Sequence, residues 1–441
     1  MASGDAIAAY GRRFEELKPS LPGAGIGWLD ALRGQAIERF TESGFPTRKI
    51  EAFKFTDLTR LNRTAFDPAL PQTNGLAKAA LAPYLLEDGP AHLLVFVDGR
   101  HRPELSDLGA LPQGVSVTSL AEALAASPHW LEAALAEPPP SDGDALLAFN
   151  TAFMRDGAVL RLAPGVRLER PLHLLFVTSA AGAERAMPLR NLILAEEGSS
   201  ATVLESYAGE GAGRYFTSVV TLAVVGEGAA LRHAKLQDEG SEAIHLAATS
   251  ATLAEGSSYA SFALSLGGRL ARNAIAALLD GSGIDCDLSG AYLGRARQHL
   301  DTTTWIDHAK PGSKSREHYM GVLDESAHGV FQGKITVRPD AQQSDAHQLN
   351  KNLLLSDGAQ VDTKPELEIY ADDVKCSHGA TAGALDAASL FYKRARGLDE
   401  ELARRMLVEA FIADVVDRVE AAALRAHLKR AVLDWLRRDR N

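Results

Sequence analysis

The chain has 441 residues, of which 46% are hydrophobic and 23% charged, a composition typical of a soluble globular protein with a large core. Its net charge of −11 disfavours a general nucleic-acid-binding role, because phosphate contacts need clustered lysine and arginine. No apolar run approaches the ~20 residues that span a bilayer, and the first residues lack a secretory signal pattern, so we expect a cytoplasmic protein without a membrane anchor.

The first 150 residues predict a helical region with a small α/β element. Apolar residues recur at helical spacing in two segments, Ile7, Tyr10, Phe14 and Leu17, then Trp28, Leu29, Leu32, Ile37 and Phe40, with Gly44 ending the second. Residues 93–97, followed by Asp98 and Gly99, are typical of a strand and a turn. A further helix is expected at residues 120–135, and the Pro- and Gly-containing segment 138–143 is the clearest linker.

Residues 151–383 alternate short β-type runs, such as 189–194 and 219–225, with Gly, Ser and acidic turn residues. Turn glycines recur at intervals of 27 to 30 residues, at Gly198, Gly226, Gly256, Gly283 and Gly312. A near-constant spacing in this range is typical of repeat architectures, so the pattern predicts a β-helix or solenoid core. A β-sandwich is the alternative. A left-handed hexapeptide-repeat acyltransferase fits less well, because the spacing does not divide into six-residue steps.

Residues 384–441 return to helical patterning, and Asp399, Glu400 and Glu401 put negative charge at a helix start, where the helix dipole favours it. Two apolar stripes follow, Leu402, Met406, Ala410, Phe411 and Val415 in one helix and Leu424, Leu428, Val432, Leu433 and Leu436 in the next. They predict either a two-helix docking surface or helices packed on the β core, and the pattern leaves both open.

A thiol and an imidazole lie two residues apart, at Cys376 and His378, after a strand-like run. Because strand side chains alternate between faces, Val374, Cys376 and His378 should share one face. Such a pair could form half of a site for a soft metal. The only other cysteine is Cys286, and two cysteines so far apart cannot supply the four ligands that an iron–sulfur cluster usually takes. A cluster on this chain would need histidines or ligands from another chain.

The remaining candidates have plainer interpretations. Cys286 stands between Asp285 and Asp287, which would raise the pKa of its thiol, so a buried or unreactive cysteine is expected. A second group of histidines, some of them ten residues apart, could come together in a coiled sheet or could be bonded singly to neighbouring Asp side chains or backbone. The second interpretation is favoured for these residues, His299, His308, His318, His328 and His347.

Several segments resemble, in order, the SufD family of iron–sulfur cluster assembly proteins. In the second half of the chain they are residues 305–308, 326–335, 350–356, 364–369, 376–381 and 391–398. Residues 48–58 resemble the family's Glu-Glu-Trp-Lys-Tyr-Thr box but depart from it at Ala52, Phe53 and Phe55. The related SufB family typically has more cysteines and Glu-His-Glu-Ala-Thr at the position of residues 376–381, which favours SufD.

The resemblance implies a mainly β fold, a right-handed parallel β-helix between N-terminal and C-terminal helical regions. It implies a non-catalytic subunit that pairs with a SufB-like subunit through the β-helix and binds a SufC-like ABC ATPase through its C-terminal helices. The chain itself has no P-loop motif. An iron–sulfur cluster would form transiently at the SufB–SufD junction, with none held tightly by this chain alone. His378 is then the expected metal ligand and Cys376 a weaker cluster-binding candidate, and a homodimer is conceivable when the partners are absent.

The main alternative from another functional class is a β-helix carbohydrate-active enzyme, a lyase or a hydrolase. Such an enzyme needs carboxylates placed together on one face. The sequence shows no turn of the repeat that carries several acids on one face, and the start of the chain lacks a secretory signal pattern.

Overall fold

A computed structural model of the chain describes residues 3–68, 76–86, 91–136, 144–179, 184–209 and 213–438. The predicted linker at 138–143 lies outside these residues. The N-terminal elements are α1 Ser3–Leu17, α2 Gly27–Ser43, β1 His92–Val97, β2 Arg100–His101, β3 Val115–Ser119, α3 Leu120–Ala126, α4 His129–Ala136 and α5 Asp144–Phe153. The predicted helix at 120–135 is two helices, because Ser127 adopts a left-handed conformation and Pro128 follows it.

A long run of strands follows. They are β4 Ala158–Leu162, β5 Leu172–Thr178, β6 Ala186–Ala195, β7 Ser200–Gly209, β8 Phe216–Val225, β9 Ala230–Asp238, β10 Ile244–Leu253, β11 Ser258–Ser265, β12 Leu270–Leu279, β13 Asp285–Gly294, β14 His299–His308, β15 Lys314–Leu323, β16 His328–Val337, β17 Asp345–Leu354, β18 Gln360–Ile369 and β19 Lys375–Gly383. The C-terminal helices are α6 Ala387–Arg394, α7 Glu400–Val416 and α8 Ala422–Arg437.

The strands form a parallel β-helix with two sheets. Even-numbered strands from β4 to β18 pair in parallel in one sheet, and odd-numbered strands from β5 to β19 pair in parallel in the other. In the described residues, β4 to β19 therefore make eight coils, each of two strands. The predicted solenoid is confirmed, and the sandwich alternative is wrong. The strands β1 and β3 extend the two sheets at their N-terminal end.

The recurring turn glycines occupy the same corner of successive coils, between an even strand and the following odd strand. Their φ angles are 61° to 75°, a region that glycine enters without steric cost. These residues are Gly198, Gly228, Gly256, Gly283 and Gly312. In the corner after β8, Gly228 rather than the predicted Gly226 takes the positive φ. The glycine spacing is thus the length of one coil.

The space between the two sheets, here called the lumen, holds the main hydrophobic core. Its side chains come from alternate positions of both sheets, and Leu189 and Val219 are examples from the predicted strand runs. Because paired residues of parallel strands put their side chains on the same face, each lumen residue stacks on its counterpart in the next coil. Burial of these stacked rows from both sheets holds consecutive coils together.

Helices cover the outer faces of both sheets. The N-terminal helices pack on the even-strand sheet, where Tyr10, Phe40 and Phe149 meet Phe216 of β8 in one buried cluster. The predicted apolar stripes of α1 and α2 lie in or beside this cluster and its neighbour. The C-terminal helices pack on the odd-strand sheet. Among the described residues, no helix is both long and apolar enough to cross a membrane.

The buried face of α7 matches the expected stripe only in part. Its buried residues are Ala403, Val408, Ile412, Val415 and Val416. Of the expected residues, Val415 is buried and Phe411 packs partly buried against the same cluster, whereas Met406 and Ala410 are exposed. In α8 the buried residues are Leu424, His427, Leu428, Val432 and Trp435. Asp399 caps α7 by accepting a hydrogen bond from the Leu402 backbone N–H (2.8 Å), as its position at the helix start predicts. Both helices thus pack on the β core through one face.

Candidate functional site

Cys376 and His378 lie on β19, the last strand of the solenoid, and both point towards the lumen. The register pairs Cys376 with Ala346 and His378 with Gln348 on β17, and Ala346 belongs to the lumen core. Val374 and Cys376 pack against the same core, as the predicted alternation requires. Cys376 is half-buried and His378 is exposed. The thiol therefore lies inside the end of the lumen, and the imidazole lies at its opening.

The last coil is open because each of its strands has a neighbour on one side only. In the described part of the chain, β19 pairs with β17 and β18 pairs with β16, and both end their sheets. Most of their residues are exposed or half-buried, whereas earlier strands are mostly buried. Ile369, which ends β18, and Tyr370, which follows it, are 40% and 62% exposed. The lumen thus opens at the coil that carries Cys376 and His378.

The two cysteines lie in one register position of the odd-strand sheet. Cys286 pairs with Ser315, Ser315 with Ala346, and Ala346 with Cys376. Cys286 is completely buried, and burial, with the neighbouring acids adding to it, raises the pKa of its thiol well above the usual value. Burial also raises the pKa of the Cys376 thiol. The expected burial of Cys286 is confirmed. Cys376 needs a metal or a positive charge to become a thiolate.

A second register position carries polar groups. Leu288, Glu317, Gln348 and His378 stack on β13, β15, β17 and β19. The Gln348 amide nitrogen donates to the Glu317 carboxyl, and both side chains are buried. Burial raises the pKa of Glu317 to about 7. A titratable acid therefore lies two coils below His378, and sequence reasoning missed it because only the coil register relates residues 317 and 378.

The raised pKa of Glu317 predicts a pH-dependent gain in stability for Glu317→Gln. An acid whose folded pKa exceeds its unfolded value of about 4.3 destabilises the folded state as pH rises through that interval. Glu317→Gln removes this cost, so the variant should be roughly 3–4 kcal/mol more stable than the wild type at pH 8 and nearly equal to it near pH 4. Urea unfolding at both pH values measures the difference, and Glu242→Gln on an exposed turn should change neither. Equal stability at pH 8 would contradict the prediction.

The second group of histidines does not assemble into one site. His299 and His328, one coil apart, lie edge to face with ring centroids 4.7 Å apart on the outer face of the even-strand sheet. His308 faces the lumen and bonds Ser315 (2.9 Å), while His318 and His347 lie on the opposite outer face. The ten-residue spacing brings none of them together, because neighbours in this fold are separated by a coil of about 29 residues. Four of the five bond separate neighbours: His299 bonds Thr56, His308 bonds Ser315, His328 bonds Asp362 and His347 bonds Ser377. The Nε2 atom of His318 makes no hydrogen bond to any residue that the structure describes.

These neighbours are specific. The Nε2 atom of His328 lies 2.7 Å from the Asp362 carboxylate, and the Nε2 atom of His347 lies 2.8 Å from Asp345. Within the described ranges, no group of three or more His, Cys, Asp or Glu side chains is arranged to hold a metal ion. Cys376 and His378 are two donors at an open end, so a complete cluster site there needs ligands from outside the described residues.

The N-terminal box at residues 48–58 crosses the outer face of the even-strand sheet. Phe53 is buried with the Arg272 guanidinium 4.3 Å from its ring centroid, and Thr56 bonds Asp301. Glu51 reaches the last coil, where its carboxylate bonds Lys364 of β18 (2.7 Å). The box therefore ties the N-terminal region to coils close to Cys376 and His378. Between the box, α5 and the sheet lies a cavity of about 370 Å³.

Comparisons with known proteins agree with this architecture. Residues 176–411 match the family described as "SUF system FeS cluster assembly, SufBD core domain", and residues 6–174 match "SufBD protein N-terminal region". The chain is 31% identical over 393 residues to the iron–sulfur cluster assembly protein SufD of Escherichia coli, which covers 89% of each chain.

Two further relatives are also iron–sulfur cluster assembly proteins. An iron–sulfur cluster assembly SufBD family protein of Synechocystis sp. is 32% identical over 396 residues, 88% of this chain and 86% of the relative. SufD of Bacillus subtilis is 25% identical over 419 residues, 91% of this chain and 92% of the relative. The resemblance first noted in residues 305–398 thus extends over about nine-tenths of the chain and favours cluster assembly over a carbohydrate-active enzyme. The chain belongs to the SufBD family of iron–sulfur cluster assembly proteins.

Proposed function

We propose that this chain is a non-catalytic subunit of a SufB–SufC–SufD scaffold and that a nascent cluster forms where its last coil meets a SufB-like partner. The observation that carries the proposal is the open end of the β-helix, which holds His378 and Cys376 beside two strand edges that pair with no other strand in the described part of the chain. An imidazole and a thiol are competent cluster ligands, but two donors are too few for a cluster. A partner seated on the same edge would supply the rest.

The free edges of β18 and β19 support pairing with another β-helix. Edge strands expose backbone N–H and C=O groups that another strand can bond. Strand β19 has small side chains at its end, Gly379, Ala380, Ala382 and Gly383, so a second backbone can approach closely. In the absence of a SufB-like partner, the same edges are available to a second copy of this chain.

The C-terminal region supports binding of a SufC-like ABC ATPase through α6 and the outer face of α7. None of the residues of α6 is buried, and its Phe391 and Tyr392 are 74% and 58% exposed. Met406 of α7 is 38% exposed. Contiguous exposed apolar side chains mark interaction surfaces, and α6 contacts α7. ATP hydrolysis on that partner would then drive cluster formation or transfer at the junction, in the cytoplasm and without nucleic acid.

His378→Ala tests the proposal. The chain is co-expressed with a SufB-like and a SufC-like subunit, and subunit ratio, iron and acid-labile sulfide are measured in the purified complex. We expect the complex to keep its subunit ratio and to lose most of its iron and sulfide, because the imidazole contributes a ligand and not the interface. His347→Ala is the matched control, since His347 lies on the neighbouring strand but on the outer face. Unchanged iron and sulfide in His378→Ala would overturn the proposed function.

A further inference from the structure

The side chain that stacks directly on His378 is Gln348. The two residues are paired in register on β17 and β19, so their side chains share the lumen face on strands about 4.8 Å apart. Gln348 is 3% exposed, while His378 is exposed at the opening. Gln348 therefore lies directly beneath His378, one coil further inside the lumen.

Two contacts fix the amide of Gln348. On one side its Nε2 donates to the carboxyl of Glu317, one coil further inside. Across the lumen lies Gly333 of β16, where a Cβ atom would overlap the Gln348 amide. Glycine at 333 thus leaves the space that the amide fills. Because Nε2 bonds Glu317, Oε1 is the polar atom of the amide that this hydrogen bond does not use.

The Oε1 atom of Gln348 is buried and accepts no hydrogen bond from any residue that the structure describes. A buried carbonyl oxygen without a donor costs free energy, so a nearby N–H is favoured to bond it. The adjacent position on β19 holds an imidazole, which carries one N–H when neutral. Histidines that bind metals usually donate their other N–H to an oxygen acceptor, and this bond fixes the ring tautomer.

We propose that Gln348 is a positioning residue for His378, whose ring N–H it accepts on Oε1. The other ring nitrogen is then unprotonated and turned towards the open end of the lumen, where a metal ligand is needed. Glu317 and Gly333 act through Gln348 by holding its amide. The consequence for clusters rests on the proposed function, whereas the hydrogen bond itself does not.

The tautomer of His378 in the full-length chain tests this directly. Nitrogen-15 NMR of ¹⁵N-histidine-labelled protein at pH 8 reports the tautomer, and His378 is assigned by its loss in His378→Ala. We expect one tautomer to exceed the other by about tenfold in the wild type and by less than about twofold in Gln348→Met, which keeps the length of the side chain but has no acceptor. Gln332→Met on the outer face is the matched control and should leave the His378 signal unchanged.

Gln348→Asn is the second variant, because it keeps the polarity but withdraws the amide by one methylene, and circular dichroism checks that each variant is folded. It should also equalise the tautomers. An unchanged tautomer ratio in a folded Gln348 variant would overturn the positioning role, whatever the cluster content. A changed ratio, with normal iron and sulfide in complexes of both Gln348→Met and His378→Ala, would support positioning and overturn the proposed function instead.

Discussion

Phe149→Ala should cost about 3–5 kcal/mol in the free energy of unfolding. Phe149 of α5 is completely buried, and its ring centroid lies 5.1–5.5 Å from those of five other aromatic rings. These rings belong to Tyr10, Phe40, Phe45, Phe153 and Phe216. Truncation removes the transfer free energy of the ring and leaves a cavity that surrounding rigid rings fill only in part.

Urea unfolding of the purified full-length chain measures the loss. Phe391→Ala is the matched control, because Phe391 is 74% exposed and its truncation should change stability by less than about 0.5 kcal/mol. The ring cluster joins three N-terminal helical segments to β8, so the variant should also unfold that region at lower urea than the solenoid. A loss below about 1 kcal/mol would show that the ring cluster does not hold the N-terminal region to the sheet.

Glu205→Leu should lower the free energy of unfolding by a similar amount, about 3–5 kcal/mol, because it removes a buried negative charge from a group of paired charges in the lumen. The Glu205 carboxylate is 1% exposed, lies 3.0 Å from Nε2 of His233 and accepts hydrogen bonds from Tyr207 and Thr221. Lys235 is buried in the same group, and burial lowers its pKa to about 8, so it still carries a charge at neutral pH. Removing the Glu205 carboxylate leaves Glu239 as the remaining counter-charge of the Lys235 ammonium.

A double variant distinguishes the effect of the unpaired charge from the effect of the changed side-chain volume. In Glu205→Leu with Lys235→Met, no uncompensated ammonium remains, so the double variant should lose less than the sum of the two single changes. Glu227→Gln, on an exposed corner, should have almost no effect. Strict additivity of the two single changes, measured by urea unfolding at pH 7, would show that Glu205 and Lys235 do not interact.

The interaction of Glu205 with Lys235 also determines the direction in which stability changes with pH. Burial alone would raise the pKa of Glu205, but His233 and Lys235 outweigh it and lower the pKa to about 2. A depressed folded pKa stabilises the protein above the unfolded value of about 4.3, and this contribution disappears as pH falls towards 2. The difference between wild type and Glu205→Leu should therefore shrink as pH is lowered through that window.

The solenoid could be predicted from the sequence because the length of its coils is the spacing of a local feature, the glycine at each corner. Each corner needs a residue with positive φ, and Gly198, Gly256 and Gly312 supply it at near-constant intervals. The alternation around Cys376 likewise gave the correct shared face, because strand geometry is local. The family resemblance added the direction of pairing, which alternation alone does not determine.

The contacts between side chains of different coils could not be predicted from the sequence. Residues 317, 348 and 378 share one register position only because successive coils have particular lengths. The ten-residue spacing of His308 and His318 does not match the length of a coil, and separate bonding of these histidines was accordingly the favoured interpretation. The buried stripe of α7 was predicted only in part, since Val415 is buried as expected but Met406 is exposed and the sheet lies against Val408 and Ile412. Periodicity identifies a helix with an apolar side, but which side is covered depends on the partner surface.

The position of Cys376 and His378 in the last of eight coils also bears on the order of synthesis. A ribosome delivers the chain from its N-terminus, so β19 is synthesised after the strands of all the preceding coils. A chain that stops before residue 375 lacks the edge that carries the thiol and the imidazole. If a partner docks on this edge as proposed, such a shortened chain would be left out of assembly, because the surface that the partner needs is absent.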